Sequence, residues 1–494
     1  MLTSPGGLSG FSLRSKLFAY TRPPSVSAPT QTVSPSLRRE LARDLGVSHA
    51  SAVVVGTIIG SGIFLVPAEM MQAVGSAKLV YLAWVVGGLL SFFGALTYAE
   101  LGAMKPQAGG EYVYVRDAYG PLSGFLYAWT WFVIAKPASI ATVVTGLVRI
   151  LGTFSAFSFF SANIIAAPFA VTWGQVVAIA AAILISMLNY IGVKKAGEFQ
   201  LVFTLLKIAI IIGIVAICFG GGGAVGGGWA NFAGSFSGAK GSVTGFMAAL
   251  VAALWAYDGW NDLNMVAGEV KQPERNIPIA LIAGVATVGL LYVLVNAAVQ
   301  YVLPADAIAA SERPASDAVA HVLGRMGASI VSAGMAISML VTLNGTIMSG
   351  ARVPFAVARD GYLFPALAEV HPRFRTPSVA IGVQAILSIA LLLLGANFRQ
   401  LFSLAIFAEW LFYMIAGSTV FVFRSREPDA PRPYRMWGYP LVPALFVAVA
   451  TALLLYTFKN NWPNSAYGLL VILAGIPFFA YFSSRRRRAS ASSS

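Results

Sequence analysis

A series of apolar segments, each long enough to cross a lipid bilayer, is the feature that most constrains the fold of this chain. A membrane-spanning helix needs about 20 predominantly apolar residues, and only 11% of the 494 residues are charged, against roughly 25% in soluble proteins. We therefore predict an all-α membrane protein with twelve transmembrane helices. The segments lie near 49–74, 79–103, 121–151, 171–192, 197–219, 243–268, 276–302, 322–357, 376–395, 400–423, 439–458 and 465–483.

Basic residues are distributed unevenly among the loops that join these segments. The side that would hold both termini carries 24 of the 33 Lys and Arg residues, and the opposite side carries seven. Cytoplasmic loops hold the excess of basic residues in membrane proteins. We therefore expect both termini in the cytoplasm and a multi-pass protein of the cell (plasma or inner) membrane. This topology explains the net charge of +14, which gives no indication of a nucleic-acid partner.

Two polar tails flank the apolar region. Residues 1–47 are rich in Ser and Pro and lack a long apolar run, so we predict a mobile cytoplasmic N-terminal tail. Residues 48–484 are predicted to form a transmembrane domain in contact with the lipid bilayer, and residues 485–494 a basic cytoplasmic tail.

The first apolar segment contains a glycine-rich stretch, Gly-Thr-Ile-Ile-Gly-Ser-Gly-Ile-Phe at 56–64. Each glycine inside a helix costs about 1 kcal/mol relative to alanine, so this stretch is a place where the helix can open. In a bilayer, an opened helix is tolerated only where its unpaired N–H and C=O groups line a cavity or bind something. The same residues also fit a small-residue packing face, because Gly56 and Gly60 form a GxxxG pair.

A second interruption lies five segments later, where Asp258, Gly259 and Asn261 fall together inside the sixth segment. Carboxylates at membrane depth are costly and usually functional. Each interruption opens a set of five segments, and because five is odd the two sets run through the membrane in opposite directions. This pattern is typical of a five-plus-five inverted repeat with broken helices 1 and 6. The repeats are predicted at about 48–220 and 243–424, and peripheral helices at 439–483.

Broken helices of this kind predict the chemistry of the bound molecule. The N-terminus of a half-helix presents N–H groups that attract an anion, and the C-terminus presents C=O groups that attract a cation. An α-amino acid carries both charges a few ångströms apart, so we expect an amino-acid substrate. An enzyme is not predicted, because the sequence offers no nucleophile–base pair, metal site or cofactor motif. A channel needs a continuous polar lining, whereas the intramembrane polar residues cluster at the two interruptions.

Six motifs in one order resemble those of the amino acid–polyamine–organocation superfamily, and within it the L-type amino-acid transporter branch, over roughly residues 45–425. The resemblance implies a secondary transporter that works by alternating access. The motifs are GTIIGSGIF (56–64), GGEYVYVRDAYGP (109–121), KPAS (136–139), WAYDGWNDLN (255–264), EVKQPERNIPIA (269–280) and NGTIMSGARVPFAVARDG (344–361).

The resemblance also implies which residues bind the substrate. The backbone N–H groups of Ser61, Gly62 and Ile63 would hold the substrate carboxylate, and Asn261 would line the side-chain pocket. The backbone carbonyl groups implied to hold the substrate amino group are those of Ile58, Trp255 and Asp258.

Three positions depart from the family pattern and bear on substrate selectivity. Trp255 stands where Phe is usual as the outer gate, Asp258 where Gly is common, and Glu409 where a neutral side chain is expected near the distal pocket. Neutral L-amino acids remain the expected substrates if Asp258 contributes its carbonyl group and its carboxylate caps a half-helix. Ionised carboxylates in the pocket would instead favour a cationic amino acid or a polyamine, so this alternative stays open.

Lys207 lies near the middle of the fifth segment, too deep to reach water. Its ammonium group needs oxygen partners, and the carbonyl groups freed at the first break are suitable. Members of the superfamily that carry a lysine there do not place Na⁺ at the break, so the resemblance implies Na⁺-independent transport. Exchange and H⁺-coupled uptake both stay open. The only cysteine, Cys218, lies inside an apolar segment, so we expect a transporter without a disulfide-linked heavy subunit.

Overall fold

The computed structural model describes residues 39–165, 171–394, 398–460 and 462–491. At residues 398–407, 464, 489 and 490 it describes the backbone only. Its architecture is all-α, as predicted, with one two-stranded antiparallel hairpin of β1 (Asn163–Ile165) and β2 (Val171–Thr172). Helices up to the hairpin are α1 (Val47–Ile58), α2 (Gly62–Val74), α3 (Ala77–Met104), α4 (Glu111–Tyr119), α5 (Pro121–Thr130) and α6 (Lys136–Leu151).

The remaining helices follow the hairpin in the chain. They are α7 (Trp173–Tyr190), α8 (Val193–Gly221), α9 (Ser242–Ala256), α10 (Asp262–Met265), α11 (Pro273–Val302), α12 (Ala305–Ala310), α13 (Pro314–Gly350), α14 (Arg352–Arg359), α15 (Ser378–Leu393), α16 (Phe398–Arg426), α17 (Leu441–Asn460), α18 (Trp462–Leu473) and α19 (Gly475–Ala491). Stretches of 3₁₀ helix cover Ser155–Ser161, Gly222–Val225, Trp229–Ala233, Ala267–Glu269 and Pro365–Ala368, and a π-helical turn covers Trp131–Ala135.

The helices coincide with the predicted apolar segments. Within the described part of the chain, nine helical stretches are long and apolar enough to cross a membrane. The shorter apolar helices α9 and α15, together with α16, cover the other three predicted segments. The chain is therefore a multi-pass all-α membrane protein, and the total of twelve crossings stays a prediction.

Two of the predicted segments, 121–151 and 322–357, are longer than a bilayer crossing needs, and their helices contain irregularities that proline and glycine explain. Helix α6 begins one residue before Pro137, which has no backbone N–H, and the π-helical turn Trp131–Ala135 directly precedes it. Helix α13 is bent at Gly324, whose φ of 68° lies in the left-handed region that favours glycine. The π-helical turn thus interrupts the predicted segment 121–151, and Gly324 bends α13 near the start of the predicted segment 322–357.

Helix α1 lies at the centre of the molecule. It packs against α8, α11 and α13, and residues Ala52–Ile58 are all buried. A β-carbon on Gly56 would lie 2.2 Å from the Thr204 hydroxyl and 2.6 Å from the Gln200 side-chain nitrogen, both on α8. Gly56 is therefore a packing glycine inside α1, and the helix opens only after Ile58. The packing role and the opening role fall to different glycines of the same motif.

The last residues of the predicted N-terminal tail are bound to the transmembrane domain. The backbone N–H of Leu45 donates to the Glu269 carbonyl at 3.0 Å, and the Lys271 N–H donates to the Leu45 carbonyl at 2.8 Å. Leu41 and Leu45 are buried in the main core. The described part of the tail is therefore an ordered strap, while residues 1–38 lie outside the described chain.

A buried ion pair joins the chain after the second break to α14. The Arg352 guanidinium donates to both carboxylate oxygens of Glu269, at 2.7 and 2.9 Å, and to the Met348 carbonyl at 2.7 Å. Both charged side chains are fully shielded from solvent. A charge buried in this way is tolerated because it is paired and hydrogen-bonded.

We predict that Arg352→Met lowers the stability of the purified protein by about 3–5 kcal/mol, because it leaves the Glu269 carboxylate buried without its partner. The measurement is the thermal unfolding temperature in detergent, and the matched control is Arg149→Met. Arg149 pairs with Glu312 at the surface, where an ion pair contributes about 0–1 kcal/mol. Equal unfolding temperatures for the two variants would contradict the prediction.

Candidate functional site

The first break separates α1 from α2. Ile59 leaves the helical region with a ψ of 83°, and the Gly60 N–H turns back to the Ile58 carbonyl at 2.7 Å. Helix α2 begins at Gly62, after Ser61. The N–H groups of a first helical turn have no acceptor within their own helix. The N–H groups near Ser61, Gly62 and Ile63 therefore lie at a helix terminus of the kind that attracts an anion, and their contact with a substrate carboxylate stays a prediction.

The second break separates α9 from the short helix α10. Helix α9 ends at Ala256, and Gly259 adopts a φ of 103° within the turn that follows. The break agrees with the position of Asp258 and Gly259 in the sequence, and Trp255 and Ala256 still belong to the helix. The regular helix after the break is also short, since α10 covers only Asp262–Met265.

The two breaks are in direct contact. A β-carbon on Gly62 would lie 2.9 Å from the Ala256 α-carbon, so only glycine allows this approach without displacement. The end of α9 therefore lies directly against the start of α2. This contact brings the C-terminal end of one helix, with its carbonyl groups, next to the N-terminal end of another, with its N–H groups.

A cavity lies between the breaks and is walled by helices α6, α13 and α16. Six of the eight predicted substrate-binding residues line it, namely Ile58, Ser61, Gly62, Trp255, Asp258 and Glu409. Its other lining residues are Thr57, Gly60, Lys136, Ser139, Thr142, Val143, Ala256, Gly259, Asp262, Met339, Thr342 and Thr346. The two breaks and the two atypical carboxylates thus meet in one cavity.

Ile63 and Asn261 do not line this cavity. Ile63 follows Gly62 in the first turn of α2 and its side chain is buried. Asn261 is buried behind the wall, where its amide bonds with Glu111 and Tyr413. The lining of this cavity therefore does not include Asn261, and its expected place in the side-chain pocket stays a prediction.

Tyr292 bridges the two breaks, and the sequence analysis did not identify it. Its hydroxyl group lies 3.0 Å from the Ile58 carbonyl and 2.8 Å from the Ala256 carbonyl, so it can donate to either. The Trp255 carbonyl accepts from the Asp258 N–H at 3.1 Å. The Ile58 carbonyl also accepts from the Gly60 N–H, so it has two donors within reach, whereas the Trp255 carbonyl has one and keeps a second lone pair available.

Lys207 reaches the first break from α8. Its ammonium group donates to the carbonyl groups of Gly56 and Ile59, both at 2.6 Å, and to the Thr342 hydroxyl at 3.2 Å. The side chain is buried, and these oxygens compensate the cost of burying its charge. The contact is the one expected from the sequence, whereas its part in transport stays a prediction.

A second lysine forms an ion pair in the cavity wall. The Lys136 ammonium group donates to the Asp262 carboxylate, and both residues line the cavity. This pairing could not be predicted from the sequence, because the two residues are 126 positions apart. The signal that could have joined them is the general requirement that opposite charges at membrane depth find each other.

The other two cavity carboxylates also have partners within the protein. The Tyr413 hydroxyl donates to Asp258 at 2.8 Å, and the Ser139 hydroxyl donates to Glu409 at 3.4 Å. Asp258 therefore presents its carboxylate to Tyr413 on α16. The wall contains three carboxylates and one ammonium group, each with at least one polar partner.

The sequence matches known proteins over nearly its whole length. Residues 45–476 match the family model described as amino acid permease. The serine/threonine exchanger SteT of Bacillus subtilis is 33% identical over 459 residues, which cover 91% of this chain and 98% of the relative. The human b(0,+)-type amino acid transporter 1 is 33% identical over a match that covers 90% of this chain and 88% of the relative. The human cystine/glutamate transporter is 31% identical over a match that covers 90% of this chain and 86% of the relative.

These matches include both breaks and the cavity between them. A family model that spans most of the chain, and relatives above 30% identity over nearly their full lengths, agree with the broken-helix geometry. The chain belongs to the amino acid permease family.

Proposed function

We propose that this amino-acid transporter is a Na⁺-independent exchanger of neutral L-amino acids, which works by alternating access in the cell (plasma or inner) membrane with both termini in the cytoplasm. The observation that carries the proposal is the contact between the breaks, where the start of α2 and the end of α9 border one cavity. N–H groups there suit a carboxylate, and the facing carbonyl groups suit an ammonium group. The relative named as a serine/threonine exchanger supports exchange.

The proposal further includes activity without a disulfide-linked heavy subunit. Cys218, the only cysteine in the sequence, is buried in α8. A thiol in that position is not available to a partner protein. Uptake by the purified chain alone therefore tests this part of the proposal together with the transport activity.

We predict that proteoliposomes containing only this chain take up labelled neutral amino acid faster when they are preloaded with unlabelled amino acid. An exchanger returns to the outward-facing state more readily when it carries substrate. The measurement is initial uptake with and without internal substrate, at equal pH on both sides and then with an imposed pH gradient. Uptake driven by the pH gradient alone would contradict exchange and support H⁺-coupled uptake.

Na⁺ independence is argued from the position of Lys207. Its ammonium group donates hydrogen bonds to the carbonyl oxygens of Gly56 and Ile59 at the end of α1. Oxygen ligands of this type would otherwise suit a small cation. A lysine that supplies the positive charge makes a dissolved cation unnecessary there.

We predict equal uptake in Na⁺ and in choline media, and a loss of uptake of about tenfold or more in Lys207→Met, because two buried carbonyl groups lose their donor. The matched control is Lys195→Met, which removes an exposed lysine from the same helix. Restoration of Lys207→Met uptake by Na⁺ would show that the site accepts a cation in place of the ammonium group. Unchanged uptake in Lys207→Met would contradict the proposed role.

Cationic amino acids are a second candidate substrate class, because Asp258, Asp262 and Glu409 outnumber Lys136 in the cavity wall. The neutral class is favoured because each of these carboxylates already accepts from a protein group. A cationic side chain would have to compete with those donors. A polyamine is less suitable still, since it has no carboxylate for the start of α2.

We predict that serine-like neutral substrates are taken up in preference to arginine, and that Glu409→Gln leaves the KM for the neutral substrate within about twofold because that substrate needs no countercharge. The control is Glu69→Gln, which changes an exposed carboxylate on α2. Preferred uptake of arginine that is lost in Glu409→Gln but kept in Glu69→Gln would establish the cationic class instead.

A further inference from the structure

The linker between α3 and α5 contains a buried glutamate that the described cavity does not use. Glu111 is the first residue of α4 and belongs to the GGEYVYVRDAYGP motif. Its exposed fraction is 0%, and within the described chain it does not line the cavity. A carboxyl group in such a position is costly unless its hydrogen bonds are used.

A chain of hydrogen bonds runs from Glu111 to the cavity wall. The Asn261 side-chain N–H₂ group donates to one Glu111 oxygen at 2.5 Å, and the Tyr127 hydroxyl lies 3.3 Å from the other. The opposite end of the Asn261 amide, its oxygen, lies 3.1 Å from the Tyr413 hydroxyl. That hydroxyl also lies 2.8 Å from the Asp258 carboxylate, and Asp258 lines the cavity.

The direction of this chain follows from the chemistry of its first member. An ionised carboxylate only accepts hydrogen bonds, whereas an amide has a donor end and an acceptor end. Glu111 therefore fixes the side-chain amide of Asn261 with its N–H₂ group toward Glu111 and its oxygen toward Tyr413. The Tyr413 hydroxyl has a single proton to share between Asn261 and Asp258. Removal of the acceptor at Glu111 frees the amide to reverse and changes what Asp258 receives.

We propose that Glu111 is a positioning residue for the substrate pocket, acting through Asn261 and Tyr413 to set the orientation and hydrogen bonding of Asp258. The linker helix α4 is thereby connected to the side-chain end of the pocket. The inference rests on the proposed function, because it assumes an amino-acid substrate in this cavity. It adds a residue that does not touch the substrate but determines how tightly the substrate binds.

The surroundings of Glu111 make its protonation state part of this account. Burial raises the pKa of the Glu111 carboxyl to about 7, while the bond from Asn261 and the ammonium group of Lys136 act in the opposite direction. The other ionisable groups around it are Asp262, Tyr98, Tyr114 and Tyr127. As the pH falls through 7, Glu111 gains a proton and ceases to be a pure acceptor. Its hold on the Asn261 amide is therefore strongest above pH 7.

The test compares the KM for one neutral amino acid in wild type and Glu111→Gln proteoliposomes, at pH 6 and pH 8. Glutamine keeps the shape and an acceptor oxygen but resembles the protonated state at both values. We expect similar KM values at pH 6 and a KM about fivefold higher in the variant at pH 8, the order expected when a charge-assisted bond becomes a neutral one. Glu100→Gln, a buried glutamate that binds Arg424, serves as the matched control and should show the same ratio at both pH values.

A double-mutant cycle tests whether Glu111 acts through Asn261. Asn261→Ala should raise the KM at pH 8, and adding Glu111→Gln should raise it no further, because the connection is already removed. The proposal would be overturned if the ratio of the Glu111→Gln KM to the wild-type KM did not change with pH. It would also be overturned if the two substitutions raised the KM additively in the double variant. If wild type itself transports no amino acid, the proposed function fails; if wild type transports normally and only the Glu111 results disagree, the positioning role alone fails.

Discussion

Backbone hydrogen bonding in a membrane is the constraint on which this structure depends. Lipid offers no partners for N–H and C=O groups, so a helix can open only where other groups satisfy them. Here the opening after Ile58 is matched by a second opening after Ala256, and the two lie in contact. Lys207 and Tyr292 supply donors to the carbonyl oxygens that the openings expose. The backbone N–H groups in the first turn of α2 are then available to bind a substrate.

The buried charges meet the same requirement, because each has a charged or hydrogen-bonding partner within the protein. Lys136 pairs with Asp262 in the cavity wall, and Arg352 pairs with Glu269 next to the strap at Leu45. Each of these charges is stabilised by a partner from a distant part of the chain. The first pair lies in the wall of the cavity, and the second joins the chain after the second break to α14.

Much of the fold could be predicted from the sequence because its signals are local. Apolar length predicted the spans, glycines at 56–62 predicted the first break, and an aspartate with glycine at 258–259 predicted the second. The Lys207 contact followed because an ammonium group at that depth needs oxygen partners. The sequence left the packing of Gly56 as one of two alternatives, because its contact with Thr204 depends on a neighbouring helix. In the same way, the hydrogen-bond partners of Asn261 and Asp258 lie on other helices, which the local sequence does not determine.

The pairing of distant residues was beyond the reach of sequence reasoning. Tyr292 lies among apolar residues of α11 and has no local sign of its position between the breaks. Glu111 falls in a linker motif, where a glutamate usually faces water. Only the folded chain brings these residues to Ile58 and Asn261. The site is thus a product of tertiary contacts built on two locally encoded interruptions.

The central claim is that one site recognises the carboxylate and the ammonium group of an amino acid together. The most direct measurement is equilibrium binding to the purified chain of a neutral L-amino acid, its carboxamide, which lacks the carboxylate, and its hydroxy-acid analogue, which lacks the ammonium group. The account predicts saturable binding of the amino acid and at least a tenfold loss, about 1.4 kcal/mol, for each analogue. Binding of either analogue with the affinity of the amino acid would contradict it.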